Sequence, residues 1–422
     1  MLKTYLHLSV ALFLVLISSD LMAQCNGRYV WEVFDDVDVT SDIYYGSGAD
    51  FDGNNVDLYL DFYEPVGDTE TERPIIILAH GGFFVFGDKT AEDMIALCTD
   101  YAQRGYVCAS IGYRLGVGLT EVDSVGFSKA VIRAVQDAKG AVRYLRDNAS
   151  TYGIDTSKMF LGGTSAGGVL AMHAGYLQST DDLPAWINTE IAALGGLEGG
   201  NDGTPGGSSR IHGVVSYAGA IKSTSWMGSR NLPTISIHGD DDMVVPFGTG
   251  WVNYQLGLLL IPITTMMGSE TIHQELEARG AIHEFWPYEG VGHVVHLDGG
   301  DGGYGLHPDR YPQTVHLTAD FLHKQLDCYD PLASTQDAST PEFVAPVPNP
   351  AVDFVELSIA SMEQLECTLV AADGRVVREW IETDPSAIRI DRAQLAEGLY
   401  VLKASNSYKS WISRIYFHQD VR

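Results

Sequence analysis

The stretch "RPIIILAH" at positions 73–80 constrains the fold more than any other part of the chain. Side chains of a strand point alternately to its two faces. A run that is apolar at nearly every position therefore describes a strand buried on both sides, as in parallel sheets covered by helices. The neighbouring segments agree. "YVWEVFDDVDV" and "VDLYLDFYEP" read as two opening antiparallel strands. A helical stretch over Ala91–Arg104 precedes the strand "YVCASIGYR", and "SKAVIRAVQDAKGAVRYLRDNA" repeats its apolar residues at the three- and four-residue spacing of an amphipathic helix. "KMFLGGTS" is a strand with the helix "AGGVLAMHAGYL" behind it; "IHGVVSYAG", "TISIHGD" and "IHEFWPYEG" add three strands, and "TVHLTADFLHKQL" a closing helix. Strands alternating with helices predict the α/β class, with a mostly parallel sheet.

Two stretches interrupt the alternation: a glycine-rich excursion over 181–209 and an apolar insertion over 247–268, each placed where a lid or substrate wall is commonly added, or where a loop simply packs. Near residue 329 the texture changes. "YDPLASTQDASTPEFVAPVPNP" is rich in Pro, Ser, Thr and Asp and reads as a linker. Beyond it, short β-like segments separated by turns such as Asp373-Gly374 predict a small all-β sandwich. At the other end, a cationic start, the apolar run "LSVALFLVLISS" and Ala23 describe a secretory signal peptide, too short for a membrane span. Gln24 before Cys25 argues against lipoprotein processing, so the expectation is a secreted or cell-surface protein without stable membrane insertion. The expected organisation is a signal peptide over 1–23, a catalytic domain over 24–329, a linker over 330–343 and a β-sandwich over 344–422. The formal net charge of −29 argues against nucleic acid and anionic membranes as partners.

The chemistry centres on Gly163-Thr164-Ser165-Ala166-Gly167. The strand ends near Gly163 and the helix begins near Ala166, so Ser165 sits at a strand-to-helix bend that projects its hydroxyl from the carboxyl edge of the sheet. The flanking glycines suit the crowding of such a turn. A nucleophilic serine needs a base, and the base an orienting acid, in this architecture in the order Ser, Asp or Glu, His. Asp240, Asp241 and Asp242 follow one strand, and His293 and His296 follow the last. All lie at the sheet edge where ligands gather in open α/β sheets. His80-Gly81-Gly82 follows the "RPIIILA" strand, and the N–H of Gly82 or Gly81, with that of Ala166, is placed to receive the negative charge that acyl transfer builds on a carbonyl oxygen.

These strings resemble the α/β-hydrolase superfamily, and within it the esterases and lipases with an HGG-type oxyanion loop, including hormone-sensitive-lipase-like, acetyl-xylan and feruloyl esterases. The resemblance rests on "HGGFFVFGD", "GYVCASIGYRL", "AVQDAKGAVRYLR", "GGTSAGG", "HGDDDMVVP" and "GVGHVVH". It implies that the acid of an H-G-x-x-D-x-x-V-P string is Asp242 and that the histidine of a G-x-G-H string is His293. Ser165 is then the nucleophile, Gly81, Gly82 and Ala166 the oxyanion donors, and no cofactor or metal is needed. Phe83 departs from the family, many members of which carry glycine or serine there, and narrows the pocket mouth. The tail resembles the type IX secretion sorting domain of Bacteroidetes, through "PVPNPAVDFVELSI", "VAADGRVV" and "AEGLYVLKAS". That implies export across the outer membrane by the type IX machinery, with the tail commonly removed.

The five cysteines fit an exported protein. A Cys25–Cys328 disulfide would tie the ends of the catalytic domain, a Cys98–Cys108 pair would be the second, and Cys367 would be left over. The loop "HLDGGDGGYGLHPD" carries Asp298, Asp301 and Asp309 but lacks EF-hand spacing, and it reads as solvated. The expectation is a secreted serine carboxylesterase acting on acyl, acetyl or feruloyl esters of extracellular polymers or lipids. Its rivals are a serine peptidase on the same fold and a hydrolase-like domain that only binds.

Overall fold

The computed structural model describes residues 25–326, except 26, 117–122, 179–182, 202, 257–258 and 299–304. In the tail it describes 342–344, 346, 353–359, 364–371, 375–383, 387–392, 395–396, 398–405 and 410–417. The chain divides into two compact units, one of them Cys25–Tyr329. The expected signal peptide, Cys328, Asp301 and most of the expected linker lie outside the described residues.

The larger unit is built on an eight-stranded sheet of order β1-β2-β4-β3-β5-β6-β8-β11. Its strands are β1 (Val37–Ala49), β2 (Asn55–Pro65), β3 (Arg73–Ala79), β4 (Val107–Ile111), β5 (Ile154–Thr164), β6 (Gly213–Tyr217), β8 (Thr234–Gly239) and β11 (His283–Tyr288). β1 pairs antiparallel with β2, and β2 antiparallel with β4; from β4 onward every pairing is parallel. The α/β expectation is met, and β3 shows why. Ile75 and Ile77 face one buried cluster with α2 (Ser124–Asp147) and α3 (Ala166–Tyr176). Ile76 and Leu78 face a second with α1 (Glu92–Gln103) and α6 (Arg310–His323). Both faces are covered, so every position from Ile75 to Ala79 had to be apolar.

Three details differ from the sequence reading. The first strand begins at Val37, not near Tyr29. The earlier apolar letters form a turn that hydrogen-bonds to the end of α1, with Tyr29 N–H on the Arg104 carbonyl and Val33 N–H on that of Gln103, 2.7 and 2.9 Å. The excursion contains a helix, α4 (Ala185–Ala193), whose Ile187 and Ile191 lie on one face, four residues apart, and are buried. The apolar insertion folds as a hairpin, β9 (Thr249–Leu256) with β10 (Leu259–Gly268), which joins β7 (Ala220–Ile221) in a separate three-stranded sheet. Val252, Ile263 and Met266 are buried in the core, while Trp251, Leu256 and Leu259 stay exposed. The helix α5 (Ser269–Ala278) follows directly.

The tail is all β, as expected. A five-stranded sheet has the order β12 (Glu342–Phe343), β18 (Ser410–Phe417), β17 (Gly398–Ser405), β14 (Leu365–Ala371), β15 (Val376–Glu382), and a second sheet pairs β13 (Phe354–Leu357) with β16 (Ile388–Asp391). One hydrophobic cluster is shared by both sheets, with Leu369, Leu402 and Phe417 from one and Val355 and Ile390 from the other.

The Cys98–Cys108 pair, possible from the sequence, is not bridged in the structure. Both are free thiols, as is Cys367. Cys98 on α1 and Cys108 on β4 are fully buried and hydrogen-bond as thiols where the helix packs on the sheet, and burial pushes the Cys98 thiol well above its ordinary value. Cys25 is disulfide-bonded. Alkylation of the native, unreduced protein should therefore leave Cys98, Cys108 and Cys367 unmodified, and denaturation without reductant should expose all three. A disulfide-linked peptide containing Cys98 and Cys108 would contradict this.

Candidate active site

Ser165 has φ 56° and ψ −113°, a strained backbone for a residue with a Cβ. Two close approaches hold it there. A Cβ added at Gly163 or at Gly167 would overlap the carbonyl oxygen of Ala79 at the end of β3. Only glycine lets the β5–α3 turn lie this close to the neighbouring strand. The Ser165 N–H donates to the Tyr217 carbonyl of β6 at 2.7 Å, which ties the turn to the strand on its other side.

The hydroxyl meets an imidazole directly: Ser165 Oγ donates to His293 Nε2 at 2.7 Å. On the other side of the ring, His293 Nδ1–H donates to Asp242 Oδ2 at 2.7 Å. His293 follows β11 and is succeeded by Val294 at φ 59°, a tight turn that aims the imidazole back across the sheet edge. Asp242 follows β8 and has a side chain with no solvent exposure. Its Oδ1 accepts from the Val244 and Val245 N–H groups at 2.8 and 2.9 Å. Its Oδ2 also accepts from His238 Nε2–H at 2.9 Å, and His238 Nδ1 is held by Ser269 Oγ at 2.8 Å. Burial alone would raise the Asp242 pKa. The two imidazoles and their hydrogen bonds outweigh it and hold the carboxyl well below the usual carboxylate range.

The three aspartates are thus separated by environment. Asp240 is exposed and accepts from the Gly290 N–H at 2.7 Å, bracing the loop that leads to His293. Asp241 is exposed. Only Asp242 reaches an imidazole of the site. His296 is also set apart: it is buried beneath the turn, with Nε2 3.4 Å from Asp93 Oδ2 and 3.5 Å from Thr164 Oγ1. Thr164 Oγ1 in turn donates to Asp93 Oδ2 at 2.8 Å. This cluster supports the residue before Ser165 rather than facing the hydroxyl.

Gly81 and Gly82 lie in the loop after β3. Gly81 packs against the turn, where an added Cβ would stand 3.5 Å from Ser165 Cβ. Gly82 has φ 113°, and among the described residues none of the Gly81, Gly82 and Ala166 N–H groups donates to another loop carbonyl. Ala166 is the first residue of α3, where N–H groups have no intrahelical partner. The loop is stiffened from behind. His80 Nδ1–H donates to the Gly81 carbonyl at 2.6 Å, the His80 ring stacks on Tyr113 at 4.3 Å, and Tyr113 OH donates to the His80 carbonyl at 2.9 Å. Phe83 and Phe84 continue the loop at φ 58° and 61°, and the Phe83 ring packs on Phe127 and on Tyr254 of the insertion hairpin.

His238 was a frame marker in the sequence, and only the structure shows that it holds Asp242. Tyr113 carried no signal beyond its place after β4. For the aspartate-bearing loop near Asp298, no group of metal-ligating side chains forms among the described residues.

Residues 60–193 match the BD-FAE family model, and residues 347–417 match that of the secretion system C-terminal sorting domain. Among curated proteins, the isoprenylcysteine alpha-carbonyl methylesterase of Arabidopsis thaliana is 28% identical over 38% of this chain and 34% of its own length. Esterase LipC of Mycobacterium tuberculosis is 30% identical over 31% of this chain and 30% of its own. The chain thus spans about a third of the length of these relatives. The apo form of esterase 2 from Thermogutta terrifontis aligns at 21% identity and a TM-score of 0.46, over 71% of this chain and 97% of that one.

The Asp242 geometry sets a pH dependence. Its folded pKa lies below the ordinary value of about 3.9. The stabilisation it gives is complete above that ordinary value and is lost as pH falls through the folded one. Asp242→Asn should destabilise the protein by roughly 1–3 kcal/mol near neutral pH, with the gap to wild type narrowing as urea titrations move from about pH 5 to pH 3. Asp241→Asn should leave stability unchanged. A gap for Asp242→Asn that stayed constant over that range would contradict the assignment.

Proposed function

We propose that this chain, an esterase-type α/β-hydrolase domain joined to a secretion sorting domain, is an exported serine carboxylesterase. The observation that carries the reading is the unbroken hydrogen-bonded relay from Ser165 through His293 to Asp242. Ser165 Oγ attacks the ester carbonyl while His293 Nε2 takes its proton. The negative charge that develops on the carbonyl oxygen is received by N–H groups of Gly81, Gly82 and Ala166, where each donor contributes about 3 kcal/mol to the transition state. Collapse expels the alcohol, which leaves with the proton held on His293. Water then attacks the acyl-serine with His293 again as base, releasing the carboxylic acid and restoring Ser165. Asp242 stays ionised throughout. It fixes the His293 tautomer and balances the imidazolium, and its own acidity is secured by His238 and two backbone N–H groups.

The substrates are esters of extracellular polymers or lipids, as export implies. The sorting domain implies contact with the type IX secretion machinery, and in our reading the tail is removed after export. The Phe83–Phe127–Tyr254 cluster closes the space beside Gly82 with aromatic rings. That favours short acyl groups over long ones.

Ser165→Ala and His293→Ala should each lower kcat/KM for p-nitrophenyl acetate by about 10³-fold or more. In wild type, kcat/KM should fall from acetate to octanoate, and Phe83→Ala should flatten that series. Retention of wild-type activity by Ser165→Ala would remove the nucleophile and favour a binding role. Faster cleavage of peptide amides than of esters would favour the peptidase reading.

A further inference from the structure

A cavity lies at the opposite edge of the sheet from Ser165. It is an open cavity of about 690 Å³ between α2, the C-terminal end of α3, and the segments that lead into β6 and β8. The 11-residue α3 starts just after Ser165 and ends at this cavity, which places the two roughly 15 Å apart. The chain carries 26 Lys and Arg against 55 Asp and Glu. Here the balance is reversed: among the described lining residues Lys139, Arg143, Arg210 and Arg230 face a single carboxylate, Glu198.

The site is built rather than incidental. Lys139 Nζ and Arg143 bind Glu198 at 2.5 and 3.0 Å, which anchors the glycine-rich excursion to α2. Gln136 Nε2 donates to the Leu194 and Gly196 carbonyls at 2.8 and 2.6 Å and fixes the same segment. Arg143 is 2% exposed, and its Nε has no acceptor among the described residues. Arg146 donates to the carbonyls of Ser208 and Arg210, holding Arg210 at the exposed rim. The local field is registered by His212 beside it: burial first, then repulsion from Arg210, Arg146 and Lys158, pushes its pKa down to about 4. Asp147 and Asp155 act on Arg146 and His212 in the opposite sense.

We infer that this cavity is a second binding site, distinct from the catalytic edge, that takes a short acidic saccharide through its carboxylate or sulfate groups. A volume of this size accommodates a ligand of two or three sugar rings. The glycines at Gly206 and Gly207 and the serines beside them present a polar wall to hydroxyls, and the guanidinium groups suit planar or tetrahedral oxyanions. Dense polyanions such as nucleic acids are disfavoured, because a net charge of −29 repels them beyond the cavity mouth. A segment with one or two charges meets the local field alone. The site would hold an acidic glycan while the opposite edge works on its esters; that use rests on the esterase reading, but the binding does not.

Calorimetric titration of the full chain with digalacturonate, a sulfated disaccharide, neutral cellobiose and sodium sulfate tests the inference. One or both acidic sugars should bind at a single site, more tightly than cellobiose and than inorganic sulfate; which of the two binds identifies the carboxylate or the sulfate source. Arg210→Glu, a rim residue, should weaken that binding about tenfold or more with p-nitrophenyl acetate hydrolysis unchanged. Ser165→Ala should bind as wild type does, so failure of the esterase reading would leave this result intact. The inference is overturned if neither acidic sugar binds, if cellobiose or sulfate binds as tightly, or if Arg210→Glu binds normally.

Discussion

The close approach of the β5–α3 turn to the end of β3 is the constraint from which the rest of the site follows. Ser165 occupies a backbone conformation costing about 1–3 kcal/mol, and it persists because the turn is confined on both sides. Gly163 and Gly167 lie against the Ala79 carbonyl, and the Ser165 N–H is tied to Tyr217. The confinement has three consequences. The hydroxyl meets His293 at the sheet edge, the first N–H groups of α3 begin beside it without intrahelical partners, and Gly81 of the loop after β3 lies close enough that an added Cβ would touch Ser165. Ser165 and the N–H groups proposed as oxyanion donors are therefore positioned by one packing event between adjacent parallel strands.

Asp242 plays the matching role on the other side. A buried carboxylate without partners would be protonated or would destabilise the fold. Here two backbone N–H groups and two imidazoles meet it. His238 is consequently more than a residue of the strand. It supplies a second donor to Oδ2 and is itself held by Ser269 at the start of α5. The hairpin and the helix after it thus reach both halves of the site, Tyr254 of the hairpin against Phe83 and Ser269 of α5 behind His238.

Much of this was legible in the sequence because it depends on local rules. Uninterrupted apolar letters at 75–79 require a strand covered on both faces, and glycines two residues either side of Ser165 require a tight turn. What the sequence left open depends on contacts between distant segments. Three consecutive aspartates differ only in which carboxylate turns inward. His293 and His296 differ only in which side of Ser165 they occupy, one at the hydroxyl and the other under Thr164 beside Asp93. The apolar letters from Tyr29 to Phe34 look like a strand but serve a turn packed on α1. Cys98 and Cys108 are neighbours in space, as expected, yet they are core thiols and not a bridge. The cation-lined cavity at the far edge had no sequence signature, because Lys139, Arg143, Arg210 and Arg230 are drawn together only by the fold.

The central claim is that Ser165 alone is activated, by His293 backed by Asp242. The most direct measurement is to react the folded protein with a fluorophosphonate ester and locate the adduct by peptide mass spectrometry, beside the His293→Ala variant. One phosphonyl group per chain, on Ser165, with labelling slowed by orders of magnitude in His293→Ala, is the predicted result. Labelling at another serine, or equally fast labelling without His293, would contradict the account.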